Sequence, residues 1–136
     1  MNTKAVNVIP LLILVSLLLA ACQPGQPSIS VDTLEFDFGD ITLGEVVSRE
    51  LVVSNTGSGT LVIESLSTSC GCTKAVLDRM EIPAGESAIL HITYDSGSHG
   101  RVTGYVSRRV YIKSNDARHP ELSIQFTANL ISDVPE

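Results

Sequence analysis

Apolar and polar residues alternate with a period of two along most of the chain after Ser28, a pattern typical of strands with one buried face. The clearest run is residues 122–130, where Leu, Ile, Phe, Ala and Leu occupy every second position. Residues 102–114 show a second run, with Val106, Val110 and Ile112 on one side and Ser107, Arg109 and Tyr111 on the other. We therefore expect Phe126 to be buried between two sheets.

Shorter alternating runs recur between turns rich in glycine, proline, asparagine and aspartate. They lie at residues 34–38, 46–55, 61–66 and 90–94. Outside the N-terminal apolar run no helical period is convincing, and only Thr73–Met80 is expected to form one short helical turn. About seven short strands predict an all-β, immunoglobulin-like antiparallel β-sandwich over residues 29–131, with a tail at 132–136.

The N-terminus carries a different signal. Lys4 precedes the uncharged run Val8–Ala21, which is shorter than the roughly 20 apolar residues of a membrane-spanning helix. The sequence Leu19-Ala-Ala-Cys22 resembles the lipobox of bacterial lipoproteins, which implies cleavage after residue 21 and acylation of Cys22. An ordinary secretory signal followed by a chance cysteine is the alternative. Residues 22–28 would then form the acylated anchor and a short stalk, extended by proline and loosened by glycine.

Composition and motifs exclude several classes of function. The net charge of −6 disfavours binding to nucleic acid and adhesion of the domain surface to anionic lipid. With no tryptophan, three tyrosines and three phenylalanines, a sugar-stacking platform is not expected. Nucleophile elbows, phosphate loops, zinc-protease motifs and calcium loops are missing, so we expect no catalytic residues, no cofactor and no small-molecule substrate.

A series of short motifs resembles one bacterial family. They occur in the order Phe36-Asp-Phe-Gly39, Gly44-Glu45, Val53-Ser-Asn-Thr-Gly57, Leu61-Val-Ile63, Ser69-Cys-Gly-Cys-Thr73, Ile82-Pro-Ala-Gly-Glu86 and Ser114-Asn-Asp116. This ordered set resembles the bacterial family of unknown function numbered 1573, which is related to the ASPM–SPD-2–Hydin and major-sperm-protein-like sandwiches. The resemblance implies a fold and an extracytoplasmic location, and hardly any chemistry.

The motif Cys70-Gly71-Cys72 is the one chemically suggestive feature of the domain. In an oxidising compartment its cysteines are expected to form a local bridge, or to stay buried as thiols, and to shape the loop. A strained small ring used for thiol exchange is a second hypothesis, with Lys74 as the nearest cation in sequence. A soft-metal site for copper or zinc, completed by a histidine, is a third. We expect no metal, because His91 has outward parity and His99 and His119 lie in loops.

Two polar features receive simple structural interpretations. The pair Arg108-Arg109 is expected to be a solvated strand segment that discourages edge pairing. Asn55 follows Val53 on the inward parity and resembles a family asparagine, which predicts hydrogen bonds within the turn that follows it.

The sequence therefore predicts a non-catalytic, lipid-anchored module that binds or scaffolds other envelope proteins outside the cytoplasm. Its membrane contact would be the lipid on Cys22, at the outer membrane or the outer leaflet of the plasma membrane according to cell type. An exposed sheet edge would let it add a strand to a partner. The alternative function is thiol redox chemistry or copper and zinc handling through Cys70 and Cys72.

Overall fold

The computed structural model describes residues 25–98, 100 and 102–132. Nine strands form within these residues: β1 Ile29–Val31, β2 Glu35–Thr42, β3 Val46–Asn55, β4 Leu61–Thr68, β5 Thr73–Leu77, β6 Glu81–Ile82, β7 Ser87–Asp95, β8 Gly104–Ser114 and β9 Glu121–Ile131. No helix of the described ranges is long and apolar enough to cross a bilayer.

The strands form two sheets that pack face to face. One sheet has four strands in the order β1-β3-β7-β5, and the other has five in the order β2-β9-β8-β4-β6. The predicted immunoglobulin-like β-sandwich is confirmed. One pair differs from the antiparallel expectation, because β2 lies parallel to β9, with Phe36 opposite Phe126. Parallel strands need a long crossover, and here the intervening chain forms β3 to β8.

The core follows the alternation of the sequence. Ile124, Phe126 and Ala128 on β9 are fully buried, as predicted. The Phe126 ring stacks on Phe36 at 5.6 Å between centroids and meets Tyr94 of the opposite sheet edge-on at 5.4 Å. Because the contact with Tyr94 crosses from one sheet to the other, it helps to fix how the two layers pack.

The expectation of a helical turn over Thr73–Met80 is wrong. Residues Thr73–Leu77 form β5, which pairs antiparallel with β7 so that Thr73 lies opposite Tyr94 and Leu77 opposite Leu90. Thr73 and Leu77 are buried and the residues next to them, Lys74 and Val76, are exposed. The alternation is real, but the segment is too short and too polar for the sequence pattern to identify it.

Asn55 ties together three chain segments at one end of the sandwich. Its side chain is 1% exposed, and Oδ1 accepts N–H bonds from Ser28 (3.2 Å) and Gly57 (3.0 Å). Its Nδ2 donates to the carbonyls of Gly59 (2.7 Å) and Ile82 (2.9 Å). The predicted turn bonds are present, and the bonds to Ser28 and Ile82 extend them to segments distant in sequence.

Asp116 adds a second buried anchor at the same end. Its carboxylate is 1% exposed and accepts the N–H of Ile29 at 2.9 Å, the first residue of β1. It also accepts the N–H of Arg118 at 2.8 Å and of His119 at 3.3 Å. The bond to Ile29 holds the start of β1 against the β8–β9 turn, and the contacts with Arg118 and His119 fix the carboxylate within that turn.

Residues 25–28, which precede β1, are packed rather than loose. The Gln26 carbonyl accepts the N–H groups of Ser58 and Gly59, and the Gln26 N–H donates to the Ser58 hydroxyl. A Cβ on Gly25 would lie 2.3 Å from the Ser58 carbonyl oxygen. Glycine at this position of the predicted stalk therefore permits close backbone packing rather than flexibility. We call this region, residues 25–28, 55–59 and 115–119, the Asn55 end. The opposite end, residues 69–73 and 95–98, is the Cys72 end.

Asp116→Asn should destabilise the domain in a pH-dependent way. Burial raises the pKa of Asp116. The carboxylate also accepts hydrogen bonds from the backbone N–H groups of Ile29, Arg118 and His119 and from the His119 side chain. Together these bonds lower the pKa by more than burial raises it, so the net shift is downward. A lowered folded-state pKa stabilises the fold above the unfolded pKa of about 3.9, and that contribution is lost as pH falls through the folded value. We expect the variant to lose about 1–3 kcal/mol at pH 7 in urea unfolding, with the deficit shrinking below pH 4.

The exposed acid Asp37 offers a matched control for this measurement. Asp37→Asn should change the free energy of unfolding by less than about 0.5 kcal/mol at either pH. A deficit for Asp116→Asn that stays constant from pH 7 to pH 2.5 would contradict the assignment of the charged form as the stabilising one.

Candidate functional site

Several sequence-predicted features lie outside the described residues. They are the segment 1–21, Cys22 with residues 23–24 of the stalk, His99, and residues 133–136 of the C-terminal tail. The acylation of Cys22 therefore stays a prediction. The remaining candidates, Cys70, Cys72, His91 and His119, are all described.

Cys70 and Cys72 form a disulfide at the Cys72 end. Their Cα atoms lie 5.2 Å apart, and the bridge closes the loop between β4 and β5. The two residues differ in burial: Cys72 is 4% exposed and belongs to the core, whereas Cys70 is only partly buried. The bridge therefore has an inner and an outer sulfur.

Threonines hold this loop in place. The Thr68 hydroxyl donates to the carbonyls of Cys70 at 2.9 Å and of Thr73 at 3.2 Å. The Thr73 hydroxyl lies 3.4 Å from Sγ of Cys70 and 3.8 Å from Sγ of Cys72. These contacts join the end of β4 to the start of β5, so the position of both sulfurs is set by the edges of both sheets.

Arg108 brings a positive charge to the inner sulfur. Its Nε donates to Sγ of Cys72 at 3.4 Å, and its Nη1 donates to the carbonyl of Ser107 at 2.9 Å. The residue is half-buried, and it lies on β8, in the sheet opposite β5. The guanidinium therefore reaches from one sheet to the other across the end of the sandwich.

This contact corrects the interpretation of Arg108 as a solvated residue. Arg109 is exposed, and its guanidinium bonds the Gln125 side chain at 3.0 Å, as expected for an outward position. Arg108 instead shares the inward parity of Val106 and Val110. That parity was the available signal, and the charge of the side chain obscured it.

The nearest cation in sequence is not the one that meets the sulfur. The side chain of Lys74 is exposed on β5, next to Cys72 along a shallow groove of about 280 Å³. Val46, Thr93, Asp95 and Ser98 also line this groove. The groove is open to solvent and borders the disulfide loop at Gly71 and Cys72.

The geometry offers little to a metal ion. Among the described residues, no three His, Cys, Asp or Glu side chains gather into a group that could hold one. His91 is exposed and lies 3.2 Å from Glu50, and His119 lies 3.5 Å from Asp116. Both histidines are remote from the bridge, because Val76 faces His91 on β5 and His119 lies at the Asn55 end.

A second candidate surface is the edge of the four-stranded sheet. β1 pairs only with Val53–Asn55, so within the described residues no strand pairs with the first half of β3 on that side. The bonds Ser96 N–H to Glu45 and Asn55 N–H to Glu86 show that odd-numbered residues of β3 face β7. The backbone groups of Val46, Ser48 and Glu50 therefore point toward the unpaired edge.

The side chains around this edge combine apolar and charged groups. Val46 is 58% exposed, and the Arg49 guanidinium lies 5.0 Å from the ring centroid of Phe36 on β2. Phe36 and Phe38 are only partly buried. The edge of β3 thus lies beside an aromatic margin of the other sheet, without a covering strand.

Comparisons with known proteins agree with the fold. A protein of unknown function from Porphyromonas gingivalis W83 matches with a TM-score of 0.68 and 25% identity, covering 82% of this chain and 50% of that chain. The ASH/PapD-like domain of human CEP192 matches with a TM-score of 0.61 and 11% identity, covering 98% of this chain and all of that one. The VesB protease of Vibrio cholerae matches with a TM-score of 0.60 and 14% identity, over 74% of this chain and 31% of that chain.

The chain thus spans half the length of the Porphyromonas gingivalis protein. No curated protein matches. The likenesses below 25% identity show the sandwich fold alone. Residues 29–130, which hold the ordered motifs from Phe36 to Asp116, match the family described as "Protein of unknown function (DUF1573)". The chain belongs to the DUF1573 family, in a sandwich fold shared with a PapD-like domain.

Proposed function

We propose that this protein is a lipid-anchored, non-catalytic module that binds an extended segment of another envelope protein along the open edge of β3. We base this on the backbone N–H and C=O groups of Val46, Ser48 and Glu50, which point away from β7 and with which no strand of the described residues pairs. An extended peptide can satisfy such groups by adding a strand, with its side chains contacting the exposed residues next to the edge. The PapD-like fold of a neighbour is consistent with a binding role.

Several features of the edge support recognition over non-specific pairing. Exposed edges are normally blunted by charge, and Arg49 and Glu50 supply charges of both signs here. Val46 and the partly buried rings of Phe36 and Phe38 supply apolar contact area. A partner strand with apolar residues at alternate positions and a charge that pairs with this edge would fit best.

The proposed anchor gives the domain an orientation. Cys22 lies three residues before Gly25, so the extended chain between them spans about 10 Å at most. Gly25–Ser28 are fixed to the Asn55 end by the hydrogen bonds of Gln26 and Asn55. An acyl anchor on Cys22 would therefore hold the Asn55 end close to the bilayer and leave the Cys72 end and the open half of β3 facing away.

Anchoring is tested by the mass of the mature N-terminal peptide. We expect the native protein to be in the membrane fraction and its first peptide to begin at Cys22 and carry acyl chains, since two or more chains bind far more stably than one. Cys22→Ser should leave the protein uncleaved or release it in soluble form. Native protein on membranes with no lipid mass on that peptide would contradict the anchor.

Strand addition is tested at Ser48, because no strand of the described residues pairs with its backbone N–H. Ser48→Pro removes this donor at an edge position, where proline is tolerated, and Ser48→Ala loses only the hydroxyl that contacts Thr93. A photoreactive residue at Glu50 should cross-link the full-length protein to a partner in cells. The adduct should survive Ser48→Ala and fall at least about tenfold with Ser48→Pro, given the loss of a backbone hydrogen bond and close approach.

Tyr105 provides the control surface, because it is 71% exposed and lies on β8 away from this edge. The same photoreactive residue there should give no such adduct. Adducts from Glu50 that persist in a folded Ser48→Pro protein would show that binding does not use the backbone of this edge.

A further inference from the structure

We propose that the Cys70–Cys72 disulfide oxidises thiols. An external thiolate attacks Sγ of Cys70, and Sγ of Cys72 is the leaving group beside Arg108. This goes beyond the binding function and does not depend on it. It also departs from the sequence-based expectation that the bridge only shapes its loop. The substrate class is a thiol outside the cytoplasm, either a protein dithiol or a small-molecule thiol.

The unequal burial of the two sulfurs selects the point of attack. Thiol–disulfide exchange begins when a thiolate approaches one sulfur from the side opposite the other. Cys70 is only partly buried, whereas Cys72 is 4% exposed and packed in the core. A nucleophile from solvent therefore reaches Cys70, and the bond it breaks delivers negative charge to Cys72.

Arg108 lies where that charge develops. Its Nε–H is already 3.4 Å from Sγ of Cys72, and the Thr73 hydroxyl at 3.8 Å is a second nearby donor. A fixed donor aimed at a developing anion lowers the barrier without reorganisation, and burial strengthens the interaction. No carboxylate of the described residues forms an ion pair with Arg108, so its charge is available to the sulfur.

The exchange takes place in two steps. The attacking thiolate bonds to Sγ of Cys70, the Cys70–Cys72 bond breaks, and its electron pair stays on Sγ of Cys72 as a thiolate held by Arg108. The product is a mixed disulfide at Cys70. A second thiolate, from the other thiol of a substrate dithiol or from a second molecule of a small-molecule thiol, then attacks the substrate sulfur of that mixed disulfide and releases Cys70 as a thiolate. The two substrate thiols are oxidised to one disulfide, and the two protons they lose end on Cys70 and Cys72, so the protein bridge is reduced to two thiols.

The adjacent arginines provide a matched pair of variants. The full-length protein, purified in detergent without reductant, is treated with reduced glutathione, quenched by alkylation and mapped by mass spectrometry. We expect glutathione on Cys70 and the alkyl group on Cys72. Arg108→Gln should slow reduction by dithiothreitol about tenfold, as expected for losing a charge-assisted hydrogen bond to the leaving sulfur. Arg109→Gln should leave the rate unchanged, and Arg108→Lys should restore part of it.

The direction of the rate change separates this proposal from a purely structural role. If Arg108 only packs the loop, Arg108→Gln would loosen the bridge and leave reduction as fast or faster. Such a result, or glutathione found mainly on Cys72, would overturn the proposal. The mapping uses the unaltered protein, so it decides the site of attack even if a variant fails to fold.

Discussion

The structure depends on one buried polar arrangement, the hydrogen bonds of Asn55 and Asp116 at one end of the sandwich. Both side chains are 1% exposed, and such groups are costly unless every bond is made. Their partners come from the segment before β1, the start of β1, the β3–β4 turn, the end of β6 and the β8–β9 turn. No buried side-chain polar atom among the described residues lacks a partner. Residues 25–28 are thereby fixed to the domain.

The Cys72 end, unlike the Asn55 end, offers groups that another molecule can contact. The turns and glycines of the Asn55 end pack against each other. A Cβ on Gly25, for example, would lie only 2.3 Å from the Ser58 carbonyl oxygen. The Cys72 end carries a bridge with an outer sulfur, the Arg108 guanidinium and, nearby, the unpaired half of β3. Under an anchor at Cys22, both proposed interaction surfaces lie on the side of the domain that faces away from the membrane.

The sequence predicts the sandwich because period-two alternation is a local property that tertiary packing reinforces, as Phe126 demonstrates. It fails at Thr73–Leu77, where five residues are too few to show a period. The turn role of Asn55 is also local and predictable, but its bonds to Ser28 and Ile82 are not. The contact of Arg108 with Cys72 joins residues from opposite sheets, so only its inward parity could be seen in advance.

The most direct test of this account measures which end of the domain lies near the bilayer. A fluorophore is attached through an unnatural residue at Thr60 or at Val102 in the acylated protein, and quenched by labelled lipid headgroups in vesicles. Thr60 lies at the Asn55 end and Val102 precedes β8 at the other, about 35 Å away along the eleven residues of that strand. We expect strong quenching at Thr60 and weak quenching at Val102. Equal quenching at both positions, or stronger quenching at Val102, would contradict the proposal that the Asn55 end lies next to the bilayer.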